Sequence, residues 1–168
     1  RGGSSQTRLL ALRRCYFYNA LQLGRRPLGL SLETAKEVSR MGRISASVTI
    51  TNLLDPANDI RCDALVDTGA SHMTLPTAWR ERLGELLEFG SVELETATQQ
   101  TVTATACGPV RVQIEGFRAI PTEVLFVDMT PEDGRYEPLI GYIILEQAQA
   151  AVDMLGHRLV HVKRLDLK

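Results

Sequence analysis

The chain lacks any apolar run approaching the roughly 20 residues that a membrane helix requires, and its first residues do not form a signal peptide. Cysteine is also scarce. The three cysteines, Cys15, Cys62 and Cys107, are widely spaced and contain no Cys-x-x-Cys pair. This excludes the usual zinc and redox motifs and favours free thiols in a reducing compartment. The sequence therefore predicts a cytoplasmic protein without a membrane partner.

An excess of either charge is absent too, because 19 Lys and Arg oppose 20 Asp and Glu. A net charge of −1 gives no general attraction to nucleic acid or membranes. The distribution is nevertheless uneven: residues 1–40 hold eight basic and two acidic residues, against eleven and eighteen in 41–168. We therefore expect a basic N-terminal extension over 1–40 and one folded domain over 41–168, close to an ordinary domain length.

Two hypotheses describe the extension. A basic arm can bind nucleic acid or lipid, but these residues form no even helical stripe, so nucleic acid is not an expected partner. The alternative is a translated leader. The codons of Lys36-Glu37-Val38 can contain a bacterial ribosome-binding sequence just before Met41, which would then be the true start.

From Met41 onward the pattern is typical of a β protein. Apolar residues alternate with Ser and Thr from Ile44 to Thr51, as in a half-buried strand, and a turn over 52–58 leads to a second strand. We expect these two strands to form a hairpin. Further strands are predicted at 92–96, 101–106, 110–114, 119–127 and 159–162, and residues 97–100 form a polar hairpin tip without glycine.

Two short helices are also predicted. Thr77 is a suitable N-cap for a helix in which Trp79, Leu83, Leu86 and Leu87 recur at helical spacing, ending near Gly90. Trp79 and these leucines are interpreted as core residues. A second helix of one or two turns is expected within 145–150.

The residues that point to chemistry are Asp67-Thr68-Gly69-Ala70, which follow an apolar strand. Asp supplies a carboxylate, Thr a hydroxyl that can hold it, and Gly a backbone able to turn tightly. The tripeptide alone is weak evidence for a catalytic site, since an aspartate in a turn often forms hydrogen bonds with its own backbone. Leu139-Ile140-Gly141 lie 72 to 74 residues later, beyond the predicted hairpin, and this combination makes the motif specific.

Residues 41–168 resemble the retropepsin-like aspartic proteases, in particular small bacterial single-domain members that begin near a Met-Gly-Arg-Ile segment such as 41–44. The resemblance implies an all-β, closed barrel-like fold with one or two short helices and one half-site per chain. It implies a homodimeric endopeptidase that cleaves a polypeptide substrate with Asp67 from each copy, without metal or organic cofactor.

The resemblance also assigns roles to further residues. Thr68, Gly69 and Ala70 would support the catalytic turn, with Thr68 reaching the other copy. Thr98, Gln99 and Gln100 would form a flap over the substrate, within a tip spanning 97–101. Leu139, Ile140 and Gly141 would lie behind the turn.

Two departures from the family pattern leave an alternative open. Tyr142-Ile143 stand where a polar pair often follows the glycine, and the flap tip has no glycine. The same fold would then serve as a weakly active or inactive dimeric peptide-binding module.

Other candidate residues have simpler interpretations. Asp63 and Asp153 lack the Thr-Gly turn and are expected to be surface or structural. His72 is close enough to the motif to influence its titration, although a hydrogen-bonded surface histidine is the simpler interpretation. His157 and His161 fit one strand face, but no third ligand for a metal lies nearby.

Overall fold

The computed structural model describes residues 42–96 and 98–163. The expectations for 1–40, Cys15, Met41 and Ala97 lie outside these residues. The division of the chain at residue 41 therefore stays a prediction.

The described chain is built mainly of strands, with two short helices. The first helix is a 3₁₀ helix, Thr77–Leu83, and the second is an α-helix, α1, Tyr142–Ala148. The strands in chain order are β1 Ser45–Asn52, β2 Asp59–Val66, β3 Met73–Pro76, β4 Leu87–Glu95, β5 Thr101–Ile114, β6 Ile120–Val127, β7 Leu139–Ile140, β8 Ala150–Asp153 and β9 Arg158–His161. This confirms the predicted fold class.

Six strands close into a barrel. They pair in the order β1-β2-β7-β3-β6-β5, and β5 then pairs with β1 to complete the ring. β1 and β2 form the predicted antiparallel hairpin, while β7 lies parallel to β2 and antiparallel to β3. β4 extends the sheet outside the ring, and β8 with β9 forms a separate two-stranded sheet. Closure gives each barrel strand two backbone partners.

The strand β5 serves both the barrel and the projecting hairpin. Its first half pairs with β4, and its later residues pair with β1. Its pairing with β6 shifts register between Cys107 and Val110. Cys107 before the shift and Val110 after it are both buried in the barrel core, although residues three apart on a regular strand face opposite sides. The bulge therefore brings both side chains to the core as the strand passes from hairpin to barrel.

The core fills the barrel with aliphatic side chains from almost every strand. Fully buried members include Ile50, Ile60, Leu75, Ile114 and Ile140. Burial of each such side chain contributes about 1.5–3 kcal/mol. A second, smaller cluster of Ala104, Ala106 and Leu125 lies under β4.

The prediction for the first helix was wrong at both ends. The 3₁₀ helix has Pro76 at its N-cap position, with no side-chain cap from Thr77, and it ends at Leu83. Leu87 belongs to β4 and is 56% exposed, because pairing with Gly108 of β5 overrides the helical spacing. Trp79 and Leu86 do pack partly buried against the core, as expected.

Other boundaries also differ. The runs 101–106 and 110–114 form one strand instead of two, and the second helix begins at Tyr142, three residues before the predicted start. β3 and β8 were not predicted, since each has only four residues and shows too little periodicity. In the part of the chain that is described, no helix combines the length and apolar character needed to cross a bilayer.

Candidate active site

Asp67 lies immediately after β2, where the barrel wall opens into a turn. Its backbone N–H donates to the carbonyl oxygen of Ile140 at 3.0 Å, and the Leu65 N–H donates to Pro138 at 2.8 Å. These bonds continue the parallel β2–β7 pairing through the aspartate. The residue is half-buried. The barrel thus fixes the backbone while leaving the carboxylate partly accessible.

The Asp67-Thr68-Gly69-Ala70 turn is held by its own hydrogen bonds. The Gly69 N–H donates to Asp67 Oδ1 at 2.9 Å, and the Ala70 N–H donates to the Asp67 carbonyl at 3.2 Å. A Cβ at position 69 would lie 3.2 Å from Asp67 Oδ1. Glycine therefore keeps the space beside the carboxylate open. Thr68 and Gly69 are exposed in the single chain.

Gly141 packs directly against the chain that leaves this turn. A Cβ there would lie 2.5 Å from the His72 backbone nitrogen and from the Ser71 carbonyl oxygen. The next two amides are bound to the same segment: Tyr142 N–H to Ala70 O at 2.9 Å and Ile143 N–H to Ser71 O at 3.0 Å. Leu139 and Ile140 pair with β2. The structure thus brings 139–141 and the turn together.

The tip of the β4–β5 hairpin is a tight polar turn. Thr98, Gln99 and Gln100 are exposed, and Gln99 takes a positive φ of 60°. The Thr96 N–H donates to Gln100 O at 2.9 Å, and the Gln99 N–H donates to Thr96 O at 2.8 Å. Among the described residues these bonds are local to the tip, and no hydrogen bond joins it to Asp67.

A family model described as aspartyl protease matches residues 46–143, which is more than half of the chain. The chain belongs to the aspartyl protease family. This confirms the family to which the residues around Asp67 pointed. Among solved structures, the chain is similar to EIAV protease complexed with the inhibitor HBY-793, with 24% identity, a TM-score of 0.48, and coverage of 71% of this chain and 93% of that chain. No curated protein sequence gives a significant match.

His72 of this aspartyl protease is engaged through both ring nitrogens. Its Nδ1 lies 2.7 Å from Ser71 Oγ, and its Nε2 lies 3.4 Å from Glu123 Oε1. The ring is only 23% exposed. His72 is thus a hydrogen-bonded residue that links the chain after the Asp67 turn to β6.

The other acidic candidates have structural partners. Asp63 accepts a hydrogen bond from Ser47 Oγ at 2.6 Å on the neighbouring strand. Asp153 accepts from the Gly156 N–H at 2.9 Å and lies 3.3 Å from Arg158 Nε. The Gly156 hydrogen bond, followed by Arg158, lowers the pKa of the Asp153 carboxyl below its usual value. Asp153 therefore stabilises the β8–β9 turn.

The prediction that His157 and His161 share one strand face was wrong. His157 lies in the turn before β9 with a φ of 48°, whereas His161 ends β9 and stacks on Phe117 at 4.4 Å between ring centroids. Within 42–96 and 98–163, no group of three His, Cys, Asp or Glu side chains is placed to hold a metal ion.

A feature that sequence reasoning missed is an open cavity of about 550 Å³ beside β2. Its lining includes Leu65 and Tyr136, and the Tyr136 ring packs edge-on against Trp79 at 5.9 Å. Tyr136 lies in the polar connection between β6 and β7, for which no strand or helix was predicted. The only sequence signal was one aromatic residue inside that polar loop.

Proposed function

We propose that this aspartyl protease is a homodimeric endopeptidase that hydrolyses peptide bonds with Asp67 from each of two copies. The observation that carries the proposal is the partly accessible Asp67 carboxylate, held on a turn whose backbone is bonded to both β7 and itself. A catalytic carboxylate needs such a fixed position, because small displacements of the reacting groups slow the reaction.

In the dimer the two Asp67 carboxylates would lie about 3 Å apart. At this distance they cannot both be ionised, so they share one proton, as is established for aspartic proteases in general. The ionised carboxylate removes a proton from water, whose oxygen bonds to the peptide carbonyl carbon. The protonated carboxyl donates to the carbonyl oxygen. Transfer of a proton to the amide nitrogen then breaks the C–N bond and releases an acid and an amine.

Dimerisation supplies the second acid. The 168-residue sequence contains one Asp-Thr-Gly and no Asp-Ser-Gly, so a second copy related by a twofold axis would provide the partner carboxylate. Thr68 is exposed in the single chain. In the dimer we assign its hydroxyl to bracing the turn of the other copy, while Gly69 and Ala70 preserve the close approach.

The β4–β5 hairpin is assigned to substrate enclosure. Thr98, Gln99 and Gln100 would cover an extended peptide, add backbone hydrogen bonds to it and exclude bulk water. The tip makes its tight turn without glycine because Gln99 adopts the left-handed conformation.

The segment Leu139-Ile140-Gly141 is assigned to holding the catalytic turn from behind. Tyr142 and Ile143 depart from the polar pair common in the family, but their backbone amides bind Ala70 and Ser71. These bonds are independent of the side chains. They support an active enzyme over the alternative of an inactive peptide-binding module.

The decisive experiment compares the full chain with Asp67→Asn on unfolded protein and fluorogenic peptide substrates at mildly acidic pH. We expect Asp67→Asn to abolish cleavage while keeping the fold and dimer mass. Asp153→Asn is a matched control, since it removes a carboxylate from the β8–β9 turn, which belongs to a separate sheet. A metal chelator should leave cleavage unchanged, because the mechanism uses only side chains and water.

The outcomes separate the two functions. Cleavage that persists in Asp67→Asn contradicts the Asp67 mechanism. Tight peptide binding without cleavage by the wild-type dimer identifies the peptide-binding module instead. A chain that stays monomeric in sedimentation, both alone and with a statin-type inhibitor, contradicts the dimer.

A further inference from the structure

The cavity beside β2 has a mixed lining of apolar, aromatic and charged side chains. Its volume is about 550 Å³ and it is open to solvent on one side. The lining residues are Ser45, Asp63, Leu65, Glu132, Asp133, Arg135, Tyr136 and Glu137. We refer to it as the β2 groove.

The β2 groove lies on the same face of the chain as the Asp67 carboxylate. Side chains alternate along a strand, so Asp63, Leu65 and Asp67 share one face. The alternation continues to Asp67 because the N–H groups of Leu65 and Asp67 both bond to segment 138–140. A peptide positioned for attack at Asp67 would therefore place a nearby side chain over Leu65.

The far wall of the β2 groove is a loop held by an aromatic contact. Tyr136 packs its ring edge-on against Trp79, with planes at 83°. Trp79 is itself partly buried against the core, and the Arg82 guanidinium lies 5.2 Å from its ring centroid. Tyr136 is thereby anchored to the 3₁₀ helix while still lining the groove.

Charge sets what the β2 groove would accept. Its lining has four carboxylates and one guanidinium, that of Arg135. A second guanidinium, that of Arg43, forms an ion pair with Glu137. The lining itself thus carries more acidic than basic side chains. Leu65 and Tyr136 add apolar surface to this lining, which suits a side chain with an aliphatic stem and a cationic end.

We propose that the β2 groove is a substrate subsite that selects lysine or arginine, with Tyr136 as its specificity-determining wall and Trp79 as the positioning residue behind it. This inference rests on the proposed protease function and names the substrate class. The stem of the basic residue packs between Leu65 and Tyr136. Its cation faces Asp63 and the carboxylates of the loop, and an arginine also stacks on the tyrosine ring.

The test uses the full chain and a set of peptides that differ at one residue near the scissile bond: lysine, norleucine, glutamine or glutamate, placed in turn at each flanking position. Norleucine keeps the stem of lysine without its charge. Assays are run at about pH 6, where ordinary carboxylates are ionised. At one position we expect lysine to exceed norleucine by about two- to tenfold in kcat/KM, with the ratio falling as salt rises.

Variants separate the wall from general stability. Tyr136→Ala and Trp79→Ala should raise KM for the lysine peptide by about three- to tenfold with kcat within about twofold. Trp79→Phe should keep KM for the lysine peptide close to the wild-type value, because it retains an aromatic ring behind Tyr136. Asp63→Asn, which retains the acceptor for Ser47, should lower the ratio of kcat/KM for the lysine peptide to that for the norleucine peptide. Phe117→Ala is the matched control, because it removes a ring contact outside the groove.

Equal rates for lysine, norleucine and glutamate peptides at every position overturn the proposal. The proposal is also overturned if Tyr136→Ala and the control Phe117→Ala change kcat by the same factor for all peptides. Absence of Asp67-dependent cleavage refutes the proposed function instead. In that case, anisotropy with labelled lysine and norleucine peptides on Asp67→Asn still tests the groove, and equal affinities would overturn it.

Discussion

Replacement of Gly141 by alanine tests how tightly the barrel holds the turn that carries Asp67. A Cβ there would lie 2.5 Å from the His72 nitrogen and the Ser71 carbonyl oxygen, both of them backbone atoms. Ordinary contact begins near 3.4 Å, so the two segments must separate by about 0.9 Å. No rotamer change can provide this space, because neither neighbour is a flexible side chain.

The cost follows from the bonds on either side. Overpacking in a tight interior costs about 1–3 kcal/mol. Separation also stretches the hydrogen bonds of Tyr142 to Ala70 and of Ile143 to Ser71, each contributing about 0.5–1.5 kcal/mol. Gly141→Ala should therefore lower the free energy of unfolding by about 2–6 kcal/mol, a large part of the roughly 5–15 kcal/mol typical of a domain.

Urea denaturation at fixed protein concentration measures this loss, with fluorescence of Trp79, the single tryptophan, as the probe. Amide exchange at Tyr142 and Ile143 should accelerate, and cleavage should fall with it. Gly116→Ala is the control: it has a φ of 84° but open space around its Cβ, so it should cost about 1–2 kcal/mol and leave cleavage intact. Stability within about 1 kcal/mol of wild type and unchanged exchange in Gly141→Ala would refute the reasoning.

Three further predictions concern other parts of the domain. Asn52→Ala should cost about 2–4 kcal/mol in urea denaturation, because the buried Asn52 Nδ2 donates to Leu83 O at 2.9 Å and Glu85 O at 2.8 Å; a cost below about 1 kcal/mol contradicts it. Gln99→Val should be about 1 kcal/mol less stable than Gln99→Gly, since φ is 60° at this position; equal melting curves would exclude strain at the tip. Burial, followed by the charge of Asp63, raises the pKa of the Cys62 thiol from 9.0 to about 11. Because the unfolded thiol ionises first, wild type should lose stability relative to Cys62→Ser as pH rises from about 9 to about 11, and parallel stability profiles would refute this.

The fold was predictable where the pattern was local and regular. The alternation from Ile44 to Thr51 gave the first strand because one face of it lines the barrel. The same reasoning failed at Leu87, where helical spacing was accidental and pairing with β5 determined the structure. Short strands such as β3 take their conformation from neighbours on both sides, which a single sequence does not display.

The candidate site was predictable at Asp67 because an apolar strand ending in Asp-Thr-Gly imposes its own turn. The need for glycine at position 141 was not predictable from packing, since it arises from contact with the backbone of Ser71 and His72, about 70 residues earlier. The β2 groove was likewise invisible, because Trp79 and Tyr136 meet only after the 3₁₀ helix and the loop are in place.

Barrel closure also has a consequence for the order of folding. β1 forms a hairpin with β2 at once, but its other edge pairs with β5, from Val48 opposite Ile114 to Asn52 opposite Val110. These partners are 58 to 66 residues apart in sequence, so loop-closure entropy makes their pairing a late event. During synthesis the second edge of β1 therefore stays without its backbone partner until β5 has emerged from the ribosome.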